Sequence, residues 1–415
     1  MKIVQVNRLW RANDAAGEYM FALSEMLEQD GHEVIPFAVQ DSGNIPNAFS
    51  SLYVSPLEPL KPYRIPLRKI LGTGARAVYS REARSHIAAL ADYSRPDVAH
   101  LHKIDLHISP SVLAPLARRG VGIVMTIHDN RFFCPSHRAF RSGSACYRCR
   151  PFHYGECVRG ACMGGSFMAS SLCATKMLAH DLMRIYSEKV DRFIAPSWYM
   201  ADRMAARGYA ADRIEVVNFF VDTDRWRLDD GRDSAADRGE YALYFGKLAP
   251  HEGVRTLVKA FAALPRVPLK IAGAGFMDHH ARRLAWDLGA ENIEFVGYTT
   301  GKEYRQLLSR CRFLCLPYES PENMPALGLQ AFAMGVPVVG SNLGGLPEAV
   351  RQGKTGLLAE PGDVESLKET AAALWDDPGL CQEMGREARR QAMENYSSGR
   401  HYERIIGIYQ SVKKT

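Results

Sequence analysis

The chain reads as an α/β protein made of two domains, each a parallel sheet with helices on both faces. Three observations predict this. At 415 residues the chain is too long for one ordinary core. Short apolar runs alternate with amphipathic stretches from end to end, as parallel strands joined by crossover helices require. A polar, charged stretch from Asp222 to Gly239 separates two such series and reads as a linker, 222–239.

In chain order, Lys2 to Val6 is a strand, followed by a loop through Asn13 and Gly17 and a helix from Tyr19 to Asp30. Gly31 stops that helix, and the next strand runs to Phe37. Strands follow at Asp97–His102, Gly122–Asp129, Asp191–Ser197 and Ile214–Val217. Past the linker the pattern resumes with Tyr241–Gly246, Leu269–Gly273, Ile293–Gly297, Phe313–Pro317 and Val336–Gly340. In open parallel sheets a ligand sits beyond the carboxyl ends of the strands, so two domains in tandem suggest a ligand between them.

Apolar content of 47% and charged content of 24% describe an ordinary soluble protein. The opening residues read as a buried strand with Arg8 and Arg11 close behind, not as a secretory leader, and no run of eighteen apolar residues exists. A cytoplasmic protein is expected. The net charge of +6 is modest but uneven: Lys61, Arg64, Arg68, Lys69, Arg76, Arg81 and Arg84 are opposed only by Glu82. Two readings of residues 61–84 stay open. One is a solvated face. The other is a patch facing anionic lipid head groups or a phosphorylated acceptor, which would hold the protein peripherally on the inner face of the plasma membrane. Nucleic acid is not expected, because no aromatic-interleaved basic stripe accompanies the charge.

Five of the nine cysteines fall together: Cys134, Cys146, Cys149, Cys157 and Cys162. A cytosolic chain does not keep structural disulfides, so metal binding competes with free or redox-active thiols. Cys146, Cys149, Cys157 and Cys162 supply four thiolates, enough for a closed, structural zinc site with no position left for a substrate. Cys173, Cys311, Cys315 and Cys381 lie in apolar surroundings and read as core.

Three motifs carry chemistry. In the first, Gly246-Lys247 follows a strand and Glu252-Gly253 opens a helix at Val254. A cation after a strand and free amides at a helix start can clamp a diphosphate. An ionised Glu252 would repel it; Arg255, three residues on, is placed to pair with Glu252 or to reach the phosphate itself. The second is Glu322-Asn323-Met324-Pro325, running through Ala326 and Leu327 to Gln330, with a glycine stop at Gly335. Its backbone amides at the helix start suit hydroxyl or phosphate oxygens. The third is Ser341-Asn342-Leu343-Gly344-Gly345-Leu346-Pro347-Glu348, a turn into a helix with proline in its first turn. Gly273-Ala274-Gly275 adds a weak glycine turn after a strand. In the first half His128 stands at a strand end, His100 and His102 at another, and Asn13, Gly17 and Glu18 in the first strand-to-helix loop.

Together these residues resemble the retaining glycosyltransferases of family 4, and the cysteine-bearing segment resembles a subgroup building exopolysaccharide or O-antigen units. The resemblance implies the GT-B fold: two Rossmann-like domains facing across a deep cleft. Residues 1–221 would bind the acceptor, with the helix at 396–415 packing back onto them, and residues 240–395 would bind a nucleotide-sugar donor. It implies catalytic roles for His128, Lys247 and Glu322. Donor contacts would come from Gly17, Gly246, Arg255, Gly273, Gly275, Asn323, Met324, Pro325, Ala326, Leu327 and Gln330. Acceptor contacts would come from Asn13, Glu18 and His102, the acceptor being a saccharide or a polyprenyl-diphosphate-linked saccharide. No cofactor is expected for catalysis. Three positions depart from the family pattern: Lys247 replaces an arginine, Glu252 a lysine and Gln330 a glutamate. Lysine keeps the charge but loses bidentate geometry, and glutamine accepts at one atom only. A non-catalytic relative that binds a sugar or scaffolds an assembly therefore remains a rival, as does, more distantly, a nucleotide-sugar epimerase of the same architecture.

Overall fold

The structure, a computed structural model, describes residues 1–57, 67–104, 107–227 and 239–414; the side chains of 67–71 lie outside that description. Residues 228–238 of the expected linker, and Lys61 and Arg64 of the basic run, are likewise outside it, as are the side chains of Arg68 and Lys69. Arg76 in that run is not free charge: it pairs with Glu82 at 2.9 Å.

Two six-stranded sheets dominate. The first contains β1 (Lys2–Val6), β2 (Glu33–Phe37), β3 (Val98–Leu101) and β4 (Gly122–Thr126). A small hairpin of β5 (Phe140–Arg141) and β6 (Ser144–Ala145) lies in the cysteine-bearing segment, and β7 (Arg192–Ala195) and β8 (Ile214–Val216) complete the first sheet. The second contains β9 (Ala242–Phe245), β10 (Leu269–Ala272), β11 (Ile293–Gly297), β12 (Phe313–Leu316), β13 (Val338–Ser341) and β14 (Gly356–Ala359). Every pair within the two large sheets is parallel. The central strands are apolar along their whole length because helices cover both faces; all of β4 and β12 is buried.

Strand order fixes where a ligand fits. The first sheet runs β2-β1-β3-β4-β7-β8 and the second β11-β10-β9-β12-β13-β14. The order reverses between β1 and β3 in one and between β9 and β12 in the other. The loops leaving the carboxyl ends of those four strands hold Asn13 and Asp14, His102, Lys247 and Glu322, with Gly17 in the first turn of the helix that follows Asp14.

The helix Ser398–Val412 belongs to the core of the first sheet. Its Ile405, Ile408, Tyr409 and Val412 pack with Ile3, Val98, Val124 and Ile194. Gly122 has no side chain because a Cβ there would run into the Val412 backbone. The chain crosses over at Val221, whose amide donates to Tyr396 O at 2.9 Å. Among the described residues no helix is long and apolar enough to cross a membrane.

Candidate active site

Three loops of the second sheet lock together through glycines. Gly246 sits at φ 156°, Gly253 at 75° and Gly273 at 151°, all in the positive-φ region that side chains avoid. A Cβ on Gly273 would strike Gly246 O, one on Gly275 would strike Leu248 O, and one on Gly253 would strike Pro317 O. The amides of Glu319 and Ser320 both donate to His251 O, at 3.0 and 3.1 Å. The loops after β9, β10 and β12 therefore form one rigid floor, on which Lys247 is exposed.

The loop after β12 is fixed from both sides. Gly345 N donates to Glu322 O at 2.8 Å, and neither Gly344 nor Gly345 has room for a side chain beside residues 322 and 323. Asn323 is buried and spans the cleft: its Nδ2 donates to Ile127 O at 2.6 Å and its Oδ1 accepts from Ser197 Oγ at 3.1 Å. Asn130 Nδ2 returns the contact to Pro321 O at 2.9 Å. Pro325 occupies the N-cap of the helix Ala326–Ala333, and no side chain caps its first turn. The amides of Ala326 and Leu327 thus lack a side-chain acceptor. Four residues into that turn, Gln330 has a buried Oε1 with no hydrogen-bond partner.

From the first sheet, Asp14 caps the helix Ala15–Gln29 by accepting from Gly17 N at 2.9 Å, and Lys103 Nζ pairs with Asp14 at 3.0 Å. Gly17 is buried where a Cβ would strike Arg11 O. Asn13 and Glu18 stand exposed at the rim. His128 is half-buried, stacked on Phe219 with centroids 5.4 Å apart, and lies 3.0 Å from His102 through Nε2 and Nδ1.

These groups act on one another. Burial, above all, raises the Glu322 carboxyl; the Ser320 hydroxyl at 3.3 Å lowers it, Asp129 raises it, and Lys247 and Lys103 lower it. Glu252 is pushed up to about 8 by burial first and Glu322 second, against the pull of Lys247. Burial tends to raise Asp14, but Lys103, the Gly17 amide and Lys247 outweigh it and hold the carboxyl below its usual range. Burial and neighbouring Lys103 drive His128 well below the ordinary histidine value, so it is neutral at pH 7. Lys247, Lys103, Glu322, Glu252, Asp14 and His128 therefore share one electrostatic neighbourhood built from both sheets.

Several expectations change. His102 is buried with both ring nitrogens engaged, by His128 and by Gln5 Oε1 at 2.8 Å, so it stands behind the cleft rather than meeting an acceptor. Asn323 spends its side chain on the opposite domain. Met324 packs into the core of the second sheet. Arg255 is exposed, and its charge bears on Glu319; Glu252 instead lies 3.6 Å from His251 Nε2. Lys103 and Asp14 went unnoticed in the sequence, since a lone lysine after a histidine and an aspartate in a polar loop carry no pattern. Cys146, Cys149, Cys157 and Cys162 do line one small cavity, with Cys134 as a fifth thiol. The donor chemistry suits zinc, but among the described residues no three His, Cys, Asp or Glu side chains are placed to share a metal ion.

The profile of Glycosyltransferase Family 4 matches residues 16–225, half of the chain, and that of Glycosyl transferases group 1 matches residues 229–391. The chain belongs to glycosyltransferase family 4. It is 33% identical over 175 residues to a GDP-mannose-dependent monoacylated α-(1-6)-phosphatidylinositol monomannoside mannosyltransferase of Corynebacterium glutamicum, a match covering 40% of this chain and 45% of that one. It is 32% identical over 194 residues to a glycogen synthase of Mycobacterium tuberculosis, covering 44% and 45%. These alignments span about half the length of the relatives. Two solved structures share the fold over nearly the full length. One is sucrose-phosphate synthase from Thermosynechococcus elongatus, with TM-score 0.71, 17% identity, and 99% and 98% of the two chains covered. The other is Anabaena Alr3699/HepE in complex with UDP and glucose, with TM-score 0.65, 16% identity, and 99% and 100% covered. The two-sheet GT-B architecture of this family 4 member is thereby established.

Proposed function

We propose that the protein is a retaining glycosyltransferase that moves a hexose from a nucleotide-sugar to a saccharide or a polyprenyl-diphosphate-linked saccharide in polysaccharide biosynthesis. The observation that carries this reading is the convergence of Lys247, Lys103, Glu322, His128 and the uncapped helix start at Ala326 and Leu327 on one cleft. Residues 240–395 would hold the donor. Residues 1–221, with the returning helix at 396–415, would hold the acceptor. HepE, which shares the fold, was solved with UDP and glucose, in keeping with a nucleotide-sugar donor.

In this reading the bond between the sugar's anomeric carbon and the diphosphate oxygen breaks. The acceptor oxygen bonds to that carbon from the same face, and the acceptor's proton passes to the departing phosphate. The protein's part is orientation and stabilisation of the negative leaving group by Lys247 and the helix amides. Glu322 and His128 would contact the sugar, and the unpartnered Gln330 Oε1 would accept from a ribose hydroxyl. The reading uses the protein's own cations and routes no step through a divalent ion.

The rival, a non-catalytic sugar-binding or scaffolding relative, draws on Glu252 and Gln330. The upward push on Glu252 weakens it, because a neutral carboxyl does not repel a diphosphate. Titrating UDP-, GDP- and ADP-linked sugars, with release of nucleotide as the readout, separates the two. Turnover with any donor supports transfer, and no turnover by folded protein with all of them supports the rival.

A further inference from the structure

Behind His128 lies a file of buried polar side chains that runs through the first domain and returns to Tyr19, whose ring lies 5.4 Å from that of His128. His102 bridges His128 Nε2, at 3.0 Å, and Gln5 Oε1, at 2.8 Å. The Gln5 amide nitrogen, buried, has the Tyr409 phenol as its neighbouring polar group, without a fully formed hydrogen bond. Tyr409 Oη meets His100 Nδ1 at 2.7 Å, and His100 Nε2 meets Thr126 Oγ1 at 2.7 Å. Thr126 lies beside Tyr19, and Tyr19 Oη meets His401 Nε2 at 2.9 Å. The file ends where His401 Nδ1 meets the Asn218 carbonyl at 2.8 Å.

That last contact sets the direction of all the others. A carbonyl only accepts, so His401 carries its proton on Nδ1 and, being neutral, offers Nε2 as an acceptor. Burial holds His401 down to about 4 and keeps His100 and His102 well below their usual range, so all three rings are neutral at pH 7. Tyr19 must then donate to His401, leaving its oxygen to accept from Thr126. Thr126, its hydrogen used, accepts from His100 Nε2–H. His100 Nδ1 is then an acceptor, which Tyr409 fills, and the Tyr409 oxygen is left to accept from the Gln5 amide. That orients Gln5 with its oxygen toward His102, so His102 donates from Nε2 and accepts at Nδ1. The reverse polarity turns the Thr126 hydrogen to His100 and leaves the Tyr19 oxygen, fully inside the protein, with no donor facing it.

We propose that this relay, anchored at the Asn218 carbonyl and passing through Tyr409 and His401 of the last helix, holds His128 in the Nε2–H tautomer with Nδ1 as a hydrogen-bond acceptor for a hydroxyl of the bound sugar. Nδ1 is the ring atom to which the structure gives no protein partner among the described residues. Gln5, His102, Tyr409 and His401 are positioning residues. The inference rests on the donor-site reading only for what His128 touches, not for its tautomer.

The test is nitrogen-15 NMR of the ligand-free, histidine-labelled protein at pH 7, with Tyr409→Phe and Gln5→Leu as variants. Expected is His128 as a single Nε2–H tautomer in the native protein and a mixture of tautomers in either variant, with thermal unfolding showing the fold intact. Loss of the fixed tautomer should lower kcat/KM for the donor two- to tenfold. An Nδ1–H or doubly protonated His128 in the native protein overturns the relay, as does an unchanged tautomer in both folded variants. Should neither variant fold, the native spectrum alone still decides. If His128→Ala keeps full donor binding and turnover while the tautomer is as expected, the donor-site reading fails and the relay stands.

Discussion

Replacing Glu252 with glutamine should flatten the stability of this protein across the neutral pH range. Burial first, and Glu322 second, push the Glu252 carboxyl from 4.5 up to about 8 in the folded chain. Between those values the folded state binds more protons than the unfolded state, so stability falls as pH rises. The contribution is fully present below pH 4.5 and lost by the time pH passes about 8. At about 1.4 kcal/mol per tenfold change in proton affinity, the span corresponds to ~5 kcal/mol as an upper limit. Urea unfolding of the native chain and of Glu252→Gln at about pH 5, pH 6.5 and pH 8.5 isolates the effect, because every other titrating group is common to both. The native chain should lose several kcal/mol more than the variant over that range. Parallel stability curves would show that Glu252 ionises normally, and its neutral state would then cease to explain how a glutamate is tolerated beside a diphosphate. Nucleotide binding should follow the same course: the native chain loses affinity above pH 8 as a carboxylate forms beside Lys247, and the variant does not.

Lys247→Ala should cut turnover tenfold or more if Lys247 stabilises the leaving group; full activity in the variant removes it from that role. Gln330→Glu places a two-oxygen acceptor where one orphaned oxygen now lies, and should change nucleotide affinity or preference in calorimetric titrations; identical affinities for UDP, GDP and ADP in both proteins would take Gln330 out of the site. Five thiols line one cavity, although among the described residues no three are placed to share a metal ion. Elemental analysis tests the zinc that the cysteine spacing suggests: about one zinc per chain would support the site, and a metal-free protein of undiminished stability would refute it.

The fold was readable because its central strands are buried on both faces and so are written as apolar runs, as β3, β4, β12 and β13 show. The floor of the site was readable for a related reason: backbones that touch need glycine, and Gly246, Gly253 and Gly273 mark those contacts in the sequence. What escaped notice depends on distance rather than pattern. His100 and His102 looked alike at one strand end, yet their neighbours, Tyr409 and Gln5, come from the last helix and the first strand. Asn323 resembled a donor contact, and only the approach of Ile127 and Ser197 turns it into a bolt across the cleft. Arg255 and Glu252 share a helix start, but Arg255 is exposed with its charge bearing on Glu319, while Glu252 lies 3.6 Å from His251 Nε2.

The change at residue 252 also moves the site's positive charge. A lysine there would have put both cations on the loop after β9. With a carboxyl pushed toward its neutral form at 252, the second cation near Glu322 is Lys103, which comes from the end of β3 on the opposite sheet. Lys103 pairs with Asp14 at 3.0 Å, and Asp14 also feels Lys247, so the two lysines flank one carboxylate. A diphosphate entering the cleft can take the place of Asp14 between them. Lys103→Met should therefore weaken donor binding by roughly as much as Lys247→Ala, about 1–3 kcal/mol for a lost charge-assisted contact. The double variant should lose less than the sum, because both cations serve one anion. Asp14→Asn, which keeps the helix cap and removes the competing charge, should bind donor as tightly as the native chain or more tightly. Strictly additive losses, or a Lys103→Met protein with native affinity, would return the whole of the phosphate's counter-charge to the β9 loop.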